Sequence, residues 1–294
     1  MTPADDRPTE LLRGIRHSNP TVRIRAARGL AKLATPLPEA FPILRAAVND
    51  PEQGVREAAI QALGSYGQDV LPTLVELLGH PDKYVRRNAV WAIGKFGPVA
   101  RFAISALCNA LRDADSRTAG GAAQTLGNMG EVAGPAVPAL IEAMRGTNVV
   151  LCRLASKALS QIGVPALEAL MANLRHSDPF VRAEAALAVG WMGPAGAEAL
   201  SDLVQLVEAY RPKARFRQAA PIYAGQSGTV TPPAPPSTAP QSSEETARLN
   251  GIQALGRIGD GAALGLLKEI ASSEEEPYRA AATLAIRQIE SAAD

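Results

Sequence analysis

The stretch VRRNAVWAIGKFG, residues 85–97, decides the fold because it recurs. VREAAIQALGSYG from Val55 and VRAEAALAVGWMG from Val181 restate it, and VRIRAARGLAKLA from Val22, ARLNGIQALGRIG from Ala247 and YRAAATLAIRQIE from Tyr278 fit the same frame. Two weaker copies, TAGGAAQTLGNMG from Thr118 and LCRLASKALSQIG from Leu151, bring the number to eight. With Arg86 as position zero, the zero positions are Arg23, Arg56, Arg86, Ala119, Cys152, Arg182, Arg248 and Arg279, spaced by 33, 30, 33, 33, 30, 66 and 31 residues. Self-similarity at such a period is the mark of a solenoid of stacked units.

Apolar residues at −1, +3, +6, +7 and +10 share one helical face, so each copy reads as an amphipathic helix ended by its glycine, which recurs at +8 and +11. Four residues before each zero position stand Asn19, Glu52, Asp82, Asp115, Asn148, Asp178, Glu244 and Glu275, and Asn and Asp are favoured helix N-caps. Pro20 and Pro179 fall where a first-turn proline is tolerated. Upstream lies a second amphipathic stretch, such as VLPTLVELLGH or AVPALIEAMRG. Each repeat is therefore a helix pair, A then B, joined by a tight turn.

Composition agrees. Hydrophobic residues make up 47% of the 294 but aromatics only 4%, a mixture suited to closely packed helices, and a net charge of +1 makes no general case for nucleic acid or membrane. The start, MTPADDRPTE, has no basic segment leading into an apolar run, and no uncharged apolar stretch is long enough to span a bilayer, so a soluble cytoplasmic protein is expected. Cys108 and Cys152 show no CxxC spacing, which points to buried, inert thiols and away from zinc or a disulfide.

The pattern DxxVRxxAxxALGxxG resembles HEAT repeats, and more narrowly the short, Ala- and Gly-rich HEAT-like repeats of phycobilisome lyase proteins. The resemblance covers nearly the whole chain and implies an all-α, right-handed α-solenoid of about eight helix pairs, one array over residues 1–294. It also implies that the Arg at zero forms a structural ladder between neighbouring repeats, which would lapse at Ala119 and Cys152. A softer middle is expected there, with Gly120 and Gly121 adding to it.

No GxSxG, P-loop, HExxH or GxGxxG motif is present. His17, His80 and His176 each lie six residues before a zero position, in three different A-to-B turns. Helices stack about 8–10 Å apart, which keeps these rings from sharing an ion, and a role in capping helix C-termini is expected instead. Two enzymatic associations come with the resemblance: bilin attachment to phycobiliproteins, for which no residue here decides, and deoxyhypusine hydroxylase, whose iron-holding His-Glu pairs are missing, since Ser18, Pro81 and Ser177 follow the three histidines. No cofactor, metal or catalytic residue is expected.

By the same resemblance the B helices line a concave surface, with solvent-facing positions near +1, +5 and +9. The +5 column reads Arg28, Gln61, Trp91, Gln124, Lys157, Leu187, Gln253, Leu284, and the +9 column Lys32, Ser65, Lys95, Asn128, Gln161, Trp191, Arg257, Gln288. Neither holds a carboxylate, whereas Glu76, Glu142, Glu168, Asp202 and Glu208 fall on A helices. Both tryptophans of the chain lie in these columns. The expected function is a non-enzymatic scaffold or adaptor whose groove binds an acidic or mixed protein or peptide surface through Arg28, Arg87, Trp91, Lys95, Gln124, Asn128, Lys157, Gln161, Trp191 and Arg257. The competing reading packs both tryptophans between helices. Nucleic acid is disfavoured because the basic residues form no dense stripe, and oligomeric state stays open.

The doubled interval of 66 residues holds TPPAPPSTAPQSS at 231–243, so residues 211–243 read as a Pro/Ser/Thr-rich disordered insertion within the seventh repeat. A long loop adds little closure entropy, so the repeat can still form. Its first half carries Arg211, Lys213, Arg215, Phe216, Arg217 and Tyr223, a candidate basic and aromatic arm for an acidic partner.

Overall fold

The computed structural model describes residues 7–33, 35–210, 243–274 and 276–293. Among them there is no strand, and sixteen α-helices alternate as A and B members of eight pairs. The pairs are α1 (Arg7–Gly14) with α2 (Pro20–Leu30), α3 (Ala40–Ala47) with α4 (Gln53–Leu63), α5 (Leu71–Leu77) with α6 (Lys83–Gly94), and α7 (Ile104–Ala110) with α8 (Ser116–Asn128). They continue as α9 (Val137–Met144) with α10 (Val149–Ile162), α11 (Val164–Leu174) with α12 (Pro179–Met192), α13 (Leu200–Ala209) with α14 (Ser243–Ile258), and α15 (Leu264–Ser273) with α16 (Tyr278–Ala293). Residues 211–242, with the candidate arm Arg211, Lys213, Arg215, Phe216, Arg217 and Tyr223, lie outside the described residues, as does Glu275. The fold class is an all-α solenoid.

The chain divides into two compact units, Met1–Ala169 and Leu170–Asp294. In the first, α2, α4, α6, α8 and α10 pack each against the next, and in the second α12, α14 and α16 do the same. The core is built from small aliphatics. Ala59, Ala89, Ala122 and Ala155 at +3, and Leu63, Ile93, Leu126 and Leu159 at +7, are fully buried in the first unit. Such side chains let helices approach closely while removing apolar area from water.

The helix starts follow from their caps. The side chains of Asn19, Asp82, Asp115, Asn148 and Asp178 accept backbone N–H bonds from the first turn of their B helices. Glu52 does not; the neighbouring Asp50 accepts the Glu52 N–H at 2.9 Å instead. Glu244 is not a cap either, because α14 already begins at Ser243.

The two glycine columns, expected to share the task of ending helices, divide it. Those at +11, Gly67, Gly97, Gly130, Gly163, Gly193 and Gly259, all have positive φ and turn the chain out of the B helix. Those at +8 in α6, α8, α12 and α14 remain helical and mark close approaches, as a Cβ on Gly127 would meet Ala158 Cα at 2.8 Å and one on Gly256 would meet Ala285 Cα at 2.6 Å, whereas Gly64 caps the end of α4. Gly120 and Gly121 belong with the second kind, since added Cβ atoms would meet Leu154 Cδ1 at 2.8 Å and Val90 Cγ1 at 3.2 Å. Both face side chains of the neighbouring B helices.

The zero-position arginines tie each turn to the next repeat. Arg23 donates from Nη1 to the carbonyls of His17 and Ser18 and pairs with Asp50, and Arg86 does the same with His80, Pro81 and Asp113. Arg56 bonds the Asp50 and Pro51 carbonyls and reaches Asp82 at 2.7 Å. In the second unit Arg182 bonds the His176 and Ser177 carbonyls and lies 4.8 Å from the Tyr210 ring centroid. Arg248, with 0% exposure, holds Val207 O, both oxygens of Glu274 and the Tyr278 ring. The ladder lapses where expected: Ala119 has no polar group, Gly146 replaces the acid its arginine would have met, and the Cys152 thiol donates to the Gly146 carbonyl at 3.2 Å.

The histidines correct one expectation. Their Nδ1 atoms accept the backbone N–H of Asn19, Asp82 and Asp178 at 3.0, 3.0 and 3.1 Å, so each ring organises the start of a B helix and caps no C-terminus. Asp50 and Asp113 do this job in the second and fourth repeats. Cys152 is buried, but Cys108 is only half-buried, with burial pushing its thiol pKa up.

Candidate protein-binding ridge

Helical geometry puts +5 and +9 one turn apart, so successive B helices present two residues each along one line. In the first unit all ten are exposed: Arg28 on α2 with Lys32 just past its end, Gln61 on α4 with Ser65 just past its end, Trp91 on α6 with Lys95 capping its end, Gln124 and Asn128 on α8, Lys157 and Gln161 on α10. No carboxylate interrupts the line. Glu57, at +1 of α4, is half-buried and accepts a bond from Gln53 at 2.8 Å.

Trp91 is 50% exposed, against the reading that packs it between helices. The Lys95 ammonium sits 3.8 Å from its ring centroid. At an exposed site such a contact contributes about 0.5–1 kcal/mol and holds the cation in place without neutralising it. The side chains of Arg28, Lys32, Gln124, Asn128, Lys157 and Gln161 show no hydrogen-bond or ion-pair partner among the described residues.

Arg87 departs from the expected set. It is half-buried, stacks 5.2 Å from the Tyr84 ring centroid and bonds Asp115 at 3.0 and 3.2 Å. Burial raises the Asp115 carboxyl, but bonds from Thr118 and Arg87 outweigh it and hold the group below the usual carboxylate range. This arginine serves the α6–α8 junction.

In the second unit Trp191 is 37% exposed and Arg257 is exposed, each on its own B helix. Leu187 departs from its column: it is 8% exposed, within a run of α12, Val181–Gly190, that is buried on every side. Part of the reason is α14, whose Asn250 bonds the Ala183 carbonyl at 2.9 Å and whose Ala254 backs against Gly190.

Two of the A-helix acids, Glu76 and Glu142, are paired. Arg45 meets Glu76 at 2.7 Å and Arg112 meets Glu142 at 2.5 Å, all four well exposed, and such pairs contribute little to stability. Asp202, on α13, is buried and bonded to Arg175. Two shallow cavities, about 320 and 670 Å³, lie away from the ridge, one lined by Leu71, Pro72, Val99 and Phe102 and the other by Ile15, Arg16, Pro42 and Ile43. The exposed turn residues Val99, Phe102 and Val132 went unnoticed in the sequence because they lie outside the helical frame. Among the described residues no group of His, Cys, Asp and Glu has a metal-holding arrangement, and no helix is long and apolar enough to cross a membrane.

A family model described as HEAT repeats matches residues 8–80, 71–156 and 137–224, more than half of the chain. Comparison with curated proteins finds no match. Among solved structures, Kap121p aligns with 97% of this chain and 33% of its own length at a TM-score of 0.65 and 12% identity. YibA of E. coli aligns with 96% of this chain and 92% of its own at 0.50 and 17%. The complex of CpcE and CpcF of phycocyanin lyase from Nostoc sp. PCC7120 aligns at 0.44 and 23%, over 69% of this chain and 88% of that one. At these identities the likenesses concern the fold.

Proposed function

The chain belongs to the HEAT-repeat family, and from that premise we propose that it is a non-enzymatic adaptor that binds an acidic protein or peptide surface along the B-helix ridge of its first unit. The carrying observation is the ridge itself, ten exposed side chains with cations, carboxamides and a half-exposed tryptophan and no carboxylate. Tryptophan and arginine are enriched at binding hot spots, and a surface of one sign steers a partner of the other. Trp191 and Arg257 extend the same chemistry on the second unit, and the basic arm at 211–223 would add cations for the same class of partner.

Charge reversal tests this directly. Lys95→Glu with Lys157→Glu is expected to abolish capture of the native partner from cell extract, identified by mass spectrometry with the wild type. Arg45→Glu with Arg112→Glu, on α3 and just past the end of α7, is expected to leave it intact. Loss with the A-helix pair and retention with the ridge pair would overturn the proposal.

A further inference from the structure

The ridge of the first unit has a period of two repeats. Its exposed cations lie on or just past the end of α2 (Arg28, Lys32), α6 (Lys95) and α10 (Lys157), and the repeats between them present Gln61 and Ser65 or Gln124 and Asn128. Neighbouring packed helices are about 8–10 Å apart, so cations recur roughly every 16–20 Å. An extended chain advances about 3.3 Å per residue, which makes that interval roughly five to six residues.

We infer that the ridge takes an extended acidic segment whose carboxylates recur every five to six residues, paired with the cations of alternate helices, while the carboxamides between them hold its main chain. This rests on the reading of the ridge as an acidic-partner surface and specifies its ligand. A carboxamide offers a donor and an acceptor in one plane, which matches a peptide group. A helical ligand has already satisfied its own main-chain groups and would leave those amides unused. Duplex nucleic acid carries a charge about every 1.7 Å of its axis, so widely spaced cations would leave most phosphates unmatched. Lys95 is fixed over the Trp91 ring at 3.8 Å, a preset position for the middle carboxylate.

The experiment is fluorescence anisotropy of the full chain with labelled synthetic peptides of one composition. One carries three Glu pairs six residues apart in a Ser/Thr/Gly background, another the same pairs clustered at one end, and an oligothymidine strand serves as a third probe. The spaced peptide should bind at least about tenfold tighter than the clustered one and weaken as salt is raised. Removing its third Glu pair should weaken binding to the wild type but not to Lys157→Gln, the coupling expected of groups in contact. Equal affinity for spaced and clustered peptides overturns the spacing while leaving the acidic-partner reading in place. Failure of every acidic peptide overturns both, and tighter binding of oligothymidine overturns both in favour of a general polyanion surface.

Discussion

Trp91 and Gly127 belong to the same repeated frame, yet substitution should affect them in opposite ways. Trp91 is half exposed, so Trp91→Ala is expected to cost under about 1 kcal/mol of stability, well below the 3–5 typical of a buried aromatic, while weakening partner binding; thermal melting and binding together check this. Gly127→Ala should cost about 1–3 kcal/mol, because its Cβ would press on Ala158 Cα. Gly265→Ala, in α15 with nothing within 4 Å, should instead gain about 0.4–1 kcal/mol. Denaturant melts of the two variants settle the sign. The frame itself was legible in the sequence, down to the exposed columns of the first unit. The separate roles of the two glycines were not, because +8 is explained only by the Ala158 or Ala285 of the next B helix, which a single repeat does not reveal.

At the scale of an element, the rungs of Arg23, Arg56 and Arg86 each join a turn to an acid of the following repeat. Bonding from Arg86 holds the Asp113 carboxyl below its ordinary value, with burial opposing. A carboxylate with a lowered folded pKa contributes stability above its unfolded value, about 3.9, and loses that contribution as pH falls through the folded value. Asp113→Asn should therefore lower the melting temperature near neutrality and flatten its decline from about pH 5 down to pH 2, as a pH series of melts would show. The missing rung offers a second test. Ala119→Arg alone buries an unpaired cation and should destabilise by about 3–5 kcal/mol, and Gly146→Asp added to it should recover a substantial part, a coupling measured by a double-mutant cycle. The rungs were anticipated from the family resemblance. The histidine rings were misread because a residue at a turn can serve either helix, and only the 3.0 Å bonds from Asn19 and Asp82 N–H show which one.

At the scale of the molecule, the eight helix pairs follow from the eight copies, and α13 packs against α14 although 33 residues separate Tyr210 from the second residue of α14, Glu244. Deletion of residues 212–242 is accordingly expected to leave the melting transition cooperative and little shifted. The exposed ridge could be read from column chemistry, since +5 and +9 lack carboxylates. Arg87 and Leu187 could not be placed that way: one is engaged by Asp115, and the other is covered where α12 and α14 close together. On the proposed function, the first unit's ridge binds an acidic partner and is dispensable for folding. The most direct test is the triple variant Trp91→Ala, Lys95→Ala, Lys157→Ala, measured for melting temperature and for affinity to the spaced acidic peptide on one preparation. Affinity lost with the melting temperature lowered by no more than about 2–4 °C is expected; a larger fall in melting temperature that accounts for the loss of affinity, or affinity retained, would overturn the reading of the ridge.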